Sequence, residues 1–276
     1  MKLFDTHCHF ERADPTEIAA ILERAKAAGV ERLMAVGGSP ALNESAALAV
    51  EVAAEAIVAP KVVCALGLDR DQIKHRDTEA QRVAADEALC LCASVLKKPL
   101  AAWGEIGLDY HYSPETREAQ LKLFGEQLEE ARQRDLPVVI HTREADEDTV
   151  SLLREIPSRG IIHCYTGTTE YAKRFLDLGF FLSISGIVTF KPAENVREVA
   201  RMIPDDRILI ETDSPFLAPV PLRGNPNEPA FVKYTCEFIA TLRGLSADDF
   251  AELTFANAER ILLPRGTGVS PVRDEP

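Results

Sequence analysis

The sequence predicts a closed TIM-type (β/α)8 barrel followed by one further helix. Three observations carry this: eight short apolar runs, helical periodicity between them, and metal-competent side chains gathered where the runs end. The runs cover 2–6, 31–36, 61–67, 100–105, 137–140, 160–162, 180–184 and 207–211. Their starts lie roughly 20 to 40 residues apart, the length of a βα repeat of about 30. Between the runs, Ile18, Ile21, Leu22 and Ala25 share one helical face, as do Leu121, Phe124, Leu128 and Ala131. An open doubly wound sheet has the same alternation. The placement of polar residues favours the barrel, because closure brings the C-terminal ends of all strands to one face.

After the eighth run, Pro229 to Arg243 reads as its helix. Ser246 then reads as the N-cap of a final helix ending at Leu263, with Asp249 in its first turn. This last helix is expected on the barrel exterior. Residues 1–263 read as a single domain, and residues 264–276 as a flexible tail whose proline, glycine and charged residues cannot bury a core.

Composition narrows the function classes. Met1 leads directly into a strand-like run, with no basic segment and long apolar stretch, so neither a secretion signal nor a membrane span is expected. The six cysteines include no Cys-x-x-Cys, which fits a reducing, cytoplasmic setting. A net charge of −13 weighs against a broad surface that tracks a nucleic-acid backbone. Divalent cations bound in a cleft could still reverse the local potential. Nothing in the chain points to an obligate protein partner.

The chemistry lies at the strand ends. His7 and His9, two residues apart, face the same side of a strand and read as half of a metal site. The fourth run delivers Glu105, the fifth His141, the sixth His163 and the eighth Asp213. Four of the six histidines therefore end strands, together with two carboxylates. Neutral imidazoles and anionic carboxylates suit a pair of divalent cations such as Zn, Mn or Mg, with one carboxylate bridging them.

Thr6-His7-Cys8-His9, Gly104-Glu105-Ile106-Gly107-Leu108-Asp109-Tyr110, His141-Thr142-Arg143, His163-Cys164-Tyr165-Thr166-Gly167 and Glu211-Thr212-Asp213-Ser214-Pro215 together resemble the TatD family of metal-dependent hydrolases, among the amidohydrolase-like barrels. The resemblance spans residues 1 to about 263. It implies that His7, His9 and Asp213 hold one metal, that His141 and His163 hold the other, and that Glu105 bridges them. It also implies that Asp213 and Glu105 are the catalytic residues, Asp213 as general base. Cys8 is expected to face the packing. The activity implied is that of a deoxyribonuclease, a 3′–5′ exonuclease-type phosphodiesterase acting on single-stranded DNA or nucleic-acid ends.

Two segments depart from the family pattern. Where the family commonly has Gly-x-His-Pro-His, this chain reads Gly67-Leu68-Asp69-Arg70-Asp71. The loop commonly written Pro-His-Arg-Gly-Lys-Arg-Asn-Glu-Pro reads Pro221-Leu222-Arg223-Gly224-Asn225-Pro226-Asn227-Glu228-Pro229. Arg223, Asn227 and Arg70 are the candidates for substrate contact, since guanidinium and amide groups donate to phosphate oxygens. Tyr110, His111 and Tyr112 offer aromatic faces for a base. The departures motivate a second reading, a metal-dependent ester or amide hydrolase such as an aminoacyl-tRNA deacylase. A third is a metal-stabilised binding protein without catalysis.

Overall fold

The computed structural model describes residues 1–11, 14–75 and 100–263. The expected tail at 264–276 and the cysteines Cys90 and Cys92 lie outside the described residues. Eight parallel strands follow one another around the sheet in chain order: β1 Leu3–Cys8, β2 Val30–Gly38, β3 Lys61–Leu68, β4 Ala102–Asp109, β5 Val138–Arg143, β6 Gly160–Ile162, β7 Phe181–Ile184 and β8 Ile208–Ile210. Around them run α1 Pro15–Ala27, α2 Pro40–Glu55, α3 Arg117–Gln133, α4 Asp146–Glu155, α5 Thr169–Asp177, α6 Glu194–Met202, α7 Val232–Arg243 and α8 Ala247–Leu262. The predicted barrel is the observed one. Strands β1 and β5 run further than their apolar runs, which places His7 and His141 inside a strand. Among the described residues, no helix is long and apolar enough to cross a membrane.

Helix starts follow from local chemistry. Asp14 caps α1 by accepting from the N–H groups of Thr16 and Glu17, with Pro15 at the first helical position. Ser246 caps α8 by accepting from the Asp249 N–H at 3.1 Å.

The core has two layers. Leu3, Trp103, Ile106, Val138, Ile140, Ile162 and Leu182 pack outward under the helices. Phe4, Met34, Val36, Ala65, Val139, Ile161, Phe181 and Leu209 fill the barrel interior. The last helix corrects the sequence reading. Its Phe255, Ala258, Ile261 and Leu262 join the interior cluster, and Phe255 packs on Phe4 with ring centroids 5.8 Å apart. Only its first turns, through Phe250 and Ala251, pack in the outer layer. The helix closes the barrel floor because its C-terminal half is apolar where the strands begin.

Two register slips decide what the interior receives above this floor. On β1, Phe4 points inward, and regular alternation would send Cys8 inward too. A slip against β2 between Asp5 and Cys8 resets the phase. Cys8 then joins the outer layer, its thiol donating to the Met34 carbonyl, as expected. On β4, a slip against β5 between Gly104 and Ile106 leaves both Trp103 and Ile106 outward and frees Glu105 to turn inward. Gly107 keeps the two strands close: a Cβ there would lie 2.0 Å from the His141 carbonyl oxygen.

Candidate metal centre

The site forms where the barrel seam closes. The backbone N–H of Asp213 donates to the His7 carbonyl at 2.9 Å, and that of His9 to the Ser214 carbonyl at 2.8 Å. This stitches the end of β1 to the turn after β8 and puts His7, His9 and Asp213 side by side. Asp213 adopts a φ of 57°, a left-handed conformation rare outside glycine. On β5, β6 and β8, side chains alternate by two, so His141 sits above Val139, His163 above Ile161 and Glu211 above Leu209.

The donor atoms fall into two groups that meet at one carboxylate. His7 Nε2 and His9 Nε2 are 3.1 Å apart. They lie 3.5 and 3.7 Å from Glu105 Oε2, and 3.8 and 3.6 Å from Asp213 Oδ1. His141 Nδ1 and His163 Nε2 are 3.3 Å apart, each 3.2 Å from Glu105 Oε1. A tetrahedral ion with bonds of about 2.0–2.1 Å spaces its donors by about 3.3 Å. Both groups fit a divalent cation, and they use different oxygens of Glu105.

Three of the four imidazoles have behind them a group of the kind a metal site uses, while the buried His7 Nδ1 has no hydrogen-bond partner among the described residues. The His9 Nδ1–H donates to the Val36 carbonyl at 2.9 Å, leaving Nε2 as the ligand atom. Asp109 Oδ2 accepts from His141 Nε2 at 3.0 Å, which frees Nδ1. Glu211 Oε1 lies 3.5 Å from His163 Nδ1 and accepts from the Cys164 N–H at 2.7 Å. The His7 and His163 rings stack at 3.9 Å.

The field of the cleft also favours a cation. Burial alone would raise the Glu105 carboxyl, but the imidazoles of His163, His141 and His7 hold it well below the usual carboxylate range. Asp213 is likewise lowered, burial being outweighed by His9, His7 and His163. Burial would lower the His9 imidazole, yet Asp213 and Glu105 push it up to about 9. The two ionised carboxylates supply the negative potential that a divalent ion seeks, although burial and His163 lower the His7 imidazole.

The six residues read as ligands are therefore gathered at one place. Arg70 joins them, lining a cavity of about 720 Å³ over the site. Asn227 and Arg223 are corrections. Asn227 is buried, and its amide donates to the Thr212 and Phe216 carbonyls at 2.9 and 2.5 Å, so it shapes the turn after β8. Arg223 lies over the Phe190 ring at 4.0 Å, and neither residue lines the cavity. Of the aromatic trio only Tyr112 lines it; Tyr110 donates to Asp148 at 2.7 Å, and His111 pairs with Glu144. The sequence reading gave no role to Asp109 or Glu211. The signal was there in the spacing Glu105, Gly107, Asp109 and in Leu209, Glu211, which places each on an inward face.

Asp5 was also missed. It is fully buried, and its carboxylate accepts from the Thr212 N–H at 2.9 Å and the Thr212 hydroxyl at 2.6 Å, tying β1 to the end of β8. Burial, with Glu211 nearby, pushes its carboxyl up to about 8 against the hydrogen bonds from Thr212 and His7. In the unfolded chain it titrates near 3.9. The stability it contributes is thus complete below about pH 4 and is lost as pH rises towards 8. Urea unfolding of the metal-free protein and of Asp5→Asn should show wild type losing ground across that window by on the order of a few kcal/mol. A difference independent of pH would refute this.

The profile of the family described as TatD related DNase matches residues 4–263. An uncharacterized metal-dependent hydrolase of Bacillus subtilis, YabD, is 37% identical over 94% of this chain and 98% of its own. Another from Escherichia coli strain K12, YcfH, is 38% identical over 95% of this chain and 96% of its own. The crystal structure of YjjV, a TatD homologue from Escherichia coli K12, superposes with a TM-score of 0.81 at 27% identity, covering 95% of this chain and 98% of that one.

Proposed function

Because this chain belongs to the TatD-related DNase family and is a metal-dependent hydrolase, we propose that it removes nucleotides from the 3′ ends of single-stranded DNA by hydrolysing phosphodiester bonds. The observation that carries this is the sharing of Glu105 between two donor groups, one oxygen to each. His7, His9 and Asp213 would hold one divalent ion and His141 and His163 the other, with Glu105 reaching both. Zn, Mn and Mg all suit such nitrogen and oxygen donors. When bound, such ions supply Lewis acidity, easing proton loss from water and drawing charge from a phosphoryl oxygen.

The chain's own groups complete the reaction. Water attacks phosphorus, its proton passes to Asp213, and the bond to the leaving oxygen breaks as that oxygen takes a proton from solvent. Asp213 suits the role because its lowered carboxyl is an ionised acceptor at neutral pH. Asp109, Glu211 and the Val36 carbonyl keep the imidazoles aimed during turnover. A cavity of about 720 Å³ has room for the end of a strand beside the donor groups, which supports action at an end.

Oligonucleotides labelled at the 5′ or the 3′ terminus test this. The 3′ label should appear as mononucleotide from the first turnovers, stop on chelation and resume on adding Mg, Mn or Zn. Equal activity before and after chelation would sink the proposal. A second reading, ester or amide hydrolysis, draws on the acidic wall residues Asp69 and Asp71. It predicts turnover of aminoacyl esters under conditions where oligonucleotides stay intact.

A further inference from the structure

Arg70 follows β3 in the turn Arg70–His75 and carries its guanidinium into the cavity. Its side chain is 16% exposed, with Nη1 4.0 Å from Glu105 Oε1, Nε 3.5 Å from Asp109 Oδ2 and Nη2 3.9 Å from Asp71 Oδ2. These are ion-pair distances too long for hydrogen bonds, and Nε is buried without a hydrogen-bond partner. Its charge helps to keep Asp109 ionised, but the neighbouring carboxylates have other hydrogen-bond donors. Asp109 already accepts from His141 and from the N–H groups of His111 and Tyr112, and Glu105 is ringed by imidazoles. A largely buried cation that is ion-paired but not hydrogen-bonded, beside the shared carboxylate, keeps donors free for a further anion.

The rest of the wall limits what that anion belongs to. Among the described lining residues the only lysine or arginine besides Arg70 is Arg143, whose guanidinium lies over the Tyr112 ring at 4.8 Å. Three further carboxylates, Glu11, Asp69 and Asp71, face the same space. A run of phosphates needs a run of cations, and among the described lining residues it would meet carboxylates.

We propose that Arg70 is the substrate anchor, donating to a phosphoryl oxygen at the reacting end, and that the site takes a single anchored terminal phosphodiester in preference to a tracked strand. This rests on the phosphodiesterase reading above and adds the residue that selects the substrate. A planar guanidinium forks onto two phosphate oxygens, which an ammonium at the same place cannot do.

The test compares wild type, Arg70→Met and Arg70→Lys, each checked for fold by circular dichroism and for metal content. For a short oligonucleotide, Arg70→Met should raise KM roughly 10- to 100-fold, the scale of one charge-assisted contact. The wild-type slope of log(kcat/KM) against log salt should lie between about −0.7 and −1.4, the range for one or two phosphate contacts on a single strand. Arg70→Met should flatten it by about 0.7, whereas Arg70→Lys should keep the slope and lose the fork. A purely structural arginine would leave the slope unmoved, and that result overturns the proposal. A wild-type slope steeper than about −3 would overturn the single-anchor claim.

Calorimetry with inorganic phosphate on the metal-loaded proteins separates this idea from the broader one. If wild type cleaves no oligonucleotide with any metal, the phosphodiesterase reading fails. Weaker phosphate binding by Arg70→Met still supports the anchor, and equal binding rejects it. If the methionine variant loses its metals, the lysine variant decides by KM and phosphate binding: a raised KM with weaker phosphate binding supports the anchor, and wild-type values of both reject it.

Discussion

Glu105→Gln is expected to empty both halves of the metal centre and to lower kcat/KM by roughly 10³-fold or more, equivalent to about 4 kcal/mol of transition-state stabilisation. The reason is the way Glu105 sits in the bulge of β4, with Oε2 towards His7 and His9 and Oε1 towards His141 and His163. An amide carries no charge to share and offers only one oxygen, so it cannot serve two cations. Metal per chain after dialysis, read by plasma mass spectrometry, should fall towards zero in this variant. His141→Ala, which touches only one donor group, should retain the ion held by His7 and His9. If Glu105→Gln keeps the full metal complement and wild-type turnover, the shared-carboxylate arrangement is wrong.

Asp213→Ala carries the second large effect. Here kcat should fall about 10²- to 10⁴-fold, the usual contribution of a positioned general base, with a smaller change in KM. The ion held by His141 and His163 should remain, because neither histidine contacts Asp213 within ion-pair distance among the described residues. Single-turnover rates with saturating metal distinguish loss of the base from loss of an ion. A rate close to wild type would remove Asp213 from the proton transfer, and complete loss of both ions would recast it as a purely structural ligand.

These experiments bear on residues of different legibility. His141, His163 and Glu211 could be placed from sequence because β5, β6 and β8 alternate regularly beneath them. His9 could be paired with His7 from their spacing. Asn227 looked like a substrate contact, since an amide in a proline-rich loop faces water or a ligand with equal ease. In the fold it meets two carbonyls of the turn after β8, and its donors are spent there. Arg70 could be named as a candidate for substrate contact from its residue type, but nothing local shows that the turn after β3 points over the barrel mouth. The last helix looked external because helical periodicity reveals an apolar face without revealing which layer receives it.

The sequence by itself determined the eight strands, their order and the identity of the metal-competent residues. Each of these is a local property: apolar length, period and residue type at a strand end. Only the tertiary structure decided that the ligands meet. The inward turn of Glu105 and of the His7 and His9 pair depends on slips in register against β5 and β2. Asp213 reaches His9 only because β8 closes on β1. Register is a relation between two strands, set by packing and by where a backbone fits close to its neighbour, as at Gly107. No single segment encodes it, so the chemistry could be named from the chain while its geometry waited on the closed barrel.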